Sequence, residues 1–243
     1  MRTIAECLAH TSRVTLELSN QCQMSRVHKL CPAYRATECV ILPRKQIADV
    51  LGTLAALWGD GKKKTVAFHC YNEPIIDPRL FLLMNNVRHW IPQVGIRICS
   101  NGEYMSRDLF LEMIDAGATR IVFSAYSQKR YEELAEITRK PHGTSVRVHH
   151  VKKLDGRDFN WATKTGVDDP CGAPLDDLMI RASGNVGLCC YDCRESVVFG
   201  NLNENTFAEI MQAGYDVMRK AQEELKAGDR SRFGVCHHCQ SHR

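Results

Sequence analysis

The sequence predicts an α/β protein: a partial, open βα barrel followed by a small C-terminal domain made of a hairpin and a helix. Three observations point there. The 243 residues are 44% hydrophobic and 25% charged, which suits a globular chain with one substantial core and excludes disorder or a cysteine-stapled miniprotein. From residue 13 to about 151, short β-branched runs alternate with amphipathic stretches of helix length, the rhythm of parallel strands joined by helical crossovers. About five such units fit before the rhythm breaks, short of the eight that close a βα barrel.

In chain order, strands are expected at 14–18, 65–70, 95–100, 119–124 and 145–151, with helices between them at 44–58, 78–90, 106–116 and 129–138. Ser106 stands where a helix N-cap belongs, and Gly117 where a left-handed C-cap belongs. Beyond 151 the composition changes. Residues 154–170 are rich in Gly, Asp and Asn, which places a domain boundary there and divides the chain into 1–155 and 156–243. Residues 178–182, a turn at Ser183-Gly184-Asn185 and residues 186–189 read as a hairpin. Asn205 and Thr206 then cap a helix running to about 226, with Phe207, Ile210, Met211 and Tyr215 on its apolar side.

Charge narrows the function classes. Thirty-two Lys and Arg stand against 28 Asp and Glu, and the basic runs Lys62-Lys63-Lys64 and Arg219-Lys220 are short, so they read as solvated surface and no nucleic-acid partner is expected. No apolar run approaches the roughly 18 residues of a membrane span, and no basic-then-apolar segment opens the chain. A cytoplasmic protein without a membrane partner is the expectation. The 12 cysteines are the outlying figure, and without an export signal they point to metal ligation more than to disulfides.

Their placement is specific. The loop after the first expected strand holds Cys22, His28 and Cys31, at the strand end where a βα barrel carries its chemistry. The second strand runs into His69-Cys70-Tyr71-Asn72-Glu73-Pro74, the third into Cys99-Ser100-Asn101-Gly102, and the fourth into Phe123-Ser124-Ala125-Tyr126-Ser127. Each has a plain structural reading as well: Glu73 as an acid at a helix N-terminus, Asn-Gly as a turn, Cys70 and Cys99 as small buried hydrophobes. The last third carries Cys171, Gly184 at the hairpin turn, Cys189, and a terminal Cys236-His-His-Cys239. On spacing alone, these four thiols suit a structural zinc ion as well as an iron-sulfur cluster.

Taken together, these segments resemble the radical S-adenosylmethionine superfamily with a C-terminal SPASM or shortened twitch auxiliary domain. In that family the loop after the first strand binds a [4Fe-4S] cluster through C-x3-C-x2-C. Here Arg26 and Lys29 stand at two of those places, so Cys22 and Cys31 remain, and the third ligand is open between His28, in a C-x5-H-x2-C spacing, and Cys39. His28 is the expected ligand, because imidazole replaces thiolate on iron in Rieske centres. The resemblance implies that Asn72, Glu73, Asn101 and Ser124 bind S-adenosylmethionine, and that Cys171, Cys189, Cys236 and Cys239 hold one auxiliary [4Fe-4S] cluster. With the chain ending at Arg243, no second auxiliary cluster is expected. Cys190 and Cys193 are left over.

The implied activity is reductive cleavage of S-adenosylmethionine to a 5′-deoxyadenosyl radical, which abstracts hydrogen from an unactivated carbon of a peptide or a small polar, sugar- or aminocyclitol-like substrate. Natural-product maturation is the implied setting. Tyr126 and Asp192 are candidate catalytic groups, with His149 and His150 near the substrate. An external electron donor such as flavodoxin or ferredoxin is implied. Because no leader-binding extension precedes the barrel, a peptide substrate would call for a separate leader-peptide-binding protein. An iron-sulfur electron-transfer protein and a zinc-stabilised binding protein are the alternatives on the same scaffold.

Overall fold

The computed structural model describes residues 3–25, 31, 33, 37–59, 63–139, 143–151, 171–237 and 239. Strands and helices alternate in the order α1 (Ile4–Ala9), β1 (Arg13–Leu16), α2 (Arg44–Leu57), β2 (Thr65–Phe68), α3 (Leu80–Trp90), β3 (Gly95–Ser100), α4 (Arg107–Asp115), β4 (Arg120–Ala125), α5 (Gln128–Ile137) and β5 (Ser145–His150). The chain continues through β6 (Asp177–Ile180), β7 (Asn185–Gly187), β8 (Val198–Asn201), α6 (Phe207–Lys226) and α7 (Gly234–His237). The strands form one open sheet in the order β5-β4-β3-β2-β1-β6-β7-β8. From β5 to β6 all neighbours are parallel; β6, β7 and β8 are antiparallel.

Local chemistry explains the boundaries. Ser106, Ser127 and Thr206 accept from the backbone N–H three residues on and start α4, α5 and α6, Thr206 in a reciprocal capping box with Glu209. After α4, Gly117 takes φ +97°, and a Cβ there would collide with the Arg88 side chain. Burial alternates along β3 and β4: Ile96, Ile98, Ile121 and Phe123 enter the core under the helices, while Arg97, Cys99, Val122 and Ser124 lie on the other face.

One feature of the topology escaped the periodicity. The hairpin expected in the C-terminal region is present, with Met179 opposite Gly187 and Ile180 opposite Val186, but its first strand also continues the main sheet beside β1. All four β6 residues are buried. Asp177 locks the joint: it accepts from Arg13 Nη2 at 2.5 Å and from Thr15 Oγ1 at 2.7 Å. Burial works against that carboxylate, yet Arg13 and Thr15 hold its pKa below the ordinary value. Across the other side, α6 packs on α1, α2 and β8, and the Phe207 N–H donates to Asp49 of α2 at 2.7 Å. Among the described residues no helix is long and apolar enough to cross a membrane.

Candidate cofactor sites

The loop that follows β1 leaves and returns through a short stem. Leu42 N donates to Leu18 O at 2.9 Å, Ser19 bridges Ile41, and Asn20 N donates to Val40 O at 3.0 Å. Arg79 clamps the stem by donating to the carbonyls of Leu18 at 2.9 Å and Leu42 at 2.7 Å, while Asp77 orients its guanidinium. Cys22 lies just inside the loop; Cys39 is exposed at the stem. His28 lies outside the described residues.

The ends of β1, β2 and β3 converge on Glu73. Its backbone N–H donates to Gln21 O at 2.8 Å, and its buried carboxylate accepts from Asn101 N at 2.7 Å and Ile75 N at 3.2 Å. Burial outweighs those donors and pushes its pKa up to about 7. A cation beside it would offset that desolvation. Asn101 carries the arrangement onward: its side chain accepts from Gln23 at 2.8 Å and donates to Cys22 Sγ at 3.7 Å. Burial, opposed by the Met24 backbone, lifts the Cys22 thiol to about 11. Next to Glu73, the Asn72 carboxamide is buried with neither its oxygen nor its nitrogen hydrogen-bonded among the described residues. A buried amide without partners is a costly arrangement, and it suits a group that a bound molecule completes.

Cys31 is buried against Ala33 and Tyr71, and Cys22, Cys70 and Cys193 pack on the same patch. Behind Tyr71 lies an ionic network that sequence reasoning did not single out. Glu17, at the end of β1, accepts from Tyr71 N at 3.0 Å and Ala182 N at 3.1 Å and pairs with Arg181 at 3.0 Å. Arg181 also meets Glu195 at 3.4 Å, donates to Cys70 Sγ at 3.0 Å and stacks over the Tyr71 ring at 4.7 Å. Although burial disfavours its charge, Cys70 and Glu17 more than compensate and keep the guanidinium protonated. The Tyr71 hydroxyl donates to the Cys190 carbonyl, so this network ties the barrel mouth to the loop after β7.

The second thiol group is more compact. Cys171 and Cys189 pack against the apolar cluster of Ala173, Leu188, Leu225 and Cys236. Burial, reinforced by the neighbouring Cys239 and Cys171, pushes the Cys236 thiol to about 12. Cys239 N donates to Cys236 O at 3.2 Å, and Cys171 N to Leu225 O at 3.1 Å. Asp192 holds the adjacent loop: its carboxylate accepts from Ser196 N at 3.0 Å, Ser196 Oγ at 2.7 Å and Val197 N at 2.9 Å. A cavity of about 490 Å³ reaches Cys171 from the opposite end of the sheet, between Arg13, Thr65, Asp177 and Lys226.

Ser124 and Tyr126 sit half-buried at the end of β4, with Ser124 level with the exposed His149 of β5; His150 instead stacks on Tyr131 of α5, centroids 5.8 Å apart. Among the described residues no three His, Cys, Asp or Glu side chains close on a single metal ion. A cluster that takes each thiolate on its own iron needs no such closure.

Residues 171–240 match the SPASM family, an iron-sulfur cluster-binding domain. BtrN in complex with AdoMet and 2-DOIA superposes with a TM-score of 0.75 at 21% identity, over 95% of this chain and 93% of that one. Native anSMEcpe with bound AdoMet and Cp18Cys peptide gives 0.57 at 10% identity, over 90% and 87%. No curated protein sequence matches the chain. The fold is thus that of these AdoMet-bound structures, an α/β fold with an open parallel sheet, with a SPASM match over its C-terminal part.

Proposed function

We propose that the chain is a radical S-adenosylmethionine enzyme acting on a carbon of a small polar substrate. The observation that carries this is the convergence of Cys22, Asn72, Glu73 and Asn101 at three neighbouring strand ends, in a chain whose last third gathers four more thiols. The residues fit the cofactors. Glu73 offers a desolvated carboxylate to the methionine ammonium, and Asn72 an amide whose donor and acceptor both lack partners among the described residues. Cys22 and Cys31, with His28 as third ligand, would hold a [4Fe-4S] cluster; Cys171, Cys189, Cys236 and Cys239 would hold an auxiliary one. When bound and reduced through an external donor such as flavodoxin or ferredoxin, these cofactors supply the 5′-deoxyadenosyl radical that abstracts hydrogen.

The protein's own contribution is placement. Asn101 joins the Cys22 loop to the Glu73 carboxylate, so one residue fixes the spacing between the cluster loop and the ammonium site. Ser124 and Tyr126 border the same mouth from β4. The fuller agreement with BtrN than with anSMEcpe supports a small polar substrate, sugar- or aminocyclitol-like, over a peptide. Anaerobic reconstitution followed by iron and sulfide counts and an assay for 5′-deoxyadenosine after reduction tests the reading. About eight irons with 5′-deoxyadenosine is the expected outcome. Iron without 5′-deoxyadenosine would leave an electron-transfer protein, and zinc in a colourless protein would leave a binding protein.

A further inference from the structure

On the face of the sheet turned away from its helices, the described residues carry more positive charge than their acids balance. Arg97 in β3 and Arg120 in β4 are direct register partners on this face, and Arg147 in β5 lies one rung further up, level with Val122 and Cys99. Neighbouring strands are about 4.8 Å apart, so like charges in that register repel. The acids that share the face are already engaged: Asp177 by Arg13, and Glu17 by Arg181. Among the described residues no carboxylate pairs with Arg97, Arg120 or Arg147; Arg97 hydrogen-bonds the Cys99 side chain, while its Nε is buried without a hydrogen-bond partner. Arg97, Arg13 and Arg120 all favour the charged form of the half-buried Cys99, against the burial that raises its pKa. Arg120 and Arg147 are exposed, so water screens part of this repulsion, and an anion bound between them and the half-buried Arg97 would remove the rest.

We propose that this face receives an anionic group of the substrate, a phosphate ester or a carboxylate, on Arg97, Arg120 and Arg147. The inference rests on the enzyme reading above only in calling that molecule the substrate. Arg120 stands four residues before Ser124 in β4, about 13 Å away at the usual strand rise. The substrate would therefore present its reacting carbon at the C-terminal strand ends and its anionic group about 13 Å away, toward the N-terminal ends of β3 and β4. Binding energy from that remote group orients the carbon without taking part in the chemistry.

Thermal unfolding of the reconstituted protein in low-salt buffer tests this, with inorganic phosphate and succinate as probes and Arg97→Gln and Arg120→Gln as variants. Phosphate, succinate or both are expected to raise the wild-type Tm in a saturable way. Either variant should weaken that response at least tenfold while keeping wild-type iron content, and Arg120→Gln should raise the Tm of the anion-free protein by about 1–3 °C. A response to phosphate alone identifies a phosphate ester, and one to succinate alone a carboxylate. The proposal is overturned if neither anion shifts the wild type, or if both variants keep the full shift. Loss of 5′-deoxyadenosine formation with the anion response intact would instead sink the enzyme reading.

Discussion

The two thiol sites of this protein are assembled in opposite ways. The C-terminal site draws Cys171, Cys189, Cys236 and Cys239 from one segment folded around α6, with Cys171, Cys189 and Cys236 packed on Leu188 and Leu225. The mouth site gathers the ends of β1, β2 and β3, held by Glu73, Asn101 and the Arg79 clamp, with the Glu17–Arg181 network behind it. A site made from one segment survives as a spacing pattern in the sequence. A site made from several strand ends survives only as scattered polar residues, because the register between strands, and not the chain, sets its geometry.

Removing one thiol from each site should separate the two clusters. Cys236→Ala should lose about four irons and retain an AdoMet-dependent change in the spectrum of the remaining cluster; Cys31→Ala should lose the other four and with them all 5′-deoxyadenosine formation. Loss of both clusters in either variant would show that the sites are not separate. His28→Ala and Cys39→Ala, counted the same way, decide the third ligand.

Leu225→Ala comes next. It empties a fully buried position beside Cys171 and Cys236 and should cost about 2–5 kcal/mol in urea unfolding, while AdoMet affinity at the mouth stays unchanged. The joint between the regions is tested by Asp177→Asn, expected to cost about 1.5–3 kcal/mol through the charged hydrogen bond to Arg13. Since the folded pKa of Asp177 is depressed, its contribution is complete above the unfolded value near ~3.9 and fades as pH falls through the lower folded value. The gap between wild type and variant in urea midpoint should therefore be full at pH 7 and shrink below about pH 4. The smallest effect is expected from Glu73→Gln, which keeps the shape and removes the charge: AdoMet binding by equilibrium dialysis should weaken about 10- to 100-fold with iron content intact.

Much of the fold was legible. Ser106 and Gly117 bound α4 as their chemistry demands, and Gly184 turns the hairpin at φ +87°. That Cys171, Cys189 and Cys236 lie together was legible too, as spacing along one segment. What escaped was the membership of β6 in the main sheet, because a buried run of Asp-Leu-Met-Ile carries no sign of which strand it will lie beside. Glu17, Arg79 and Arg181 escaped likewise: in the sequence they are ordinary charges, and only burial at the strand ends makes them structural.

By itself, then, the sequence determined the alternation of strands and helices, their caps, and the grouping of the C-terminal cysteines, all properties of neighbours along the chain. Tertiary structure alone decided that Asn101 links Cys22 to Glu73, that Arg181 binds the mouth to the loop after β7, and that Arg97 faces Arg120 on the open side of the sheet. Those contacts depend on how strands distant in sequence line up, and hydrophobic burial of the whole sheet fixes that alignment.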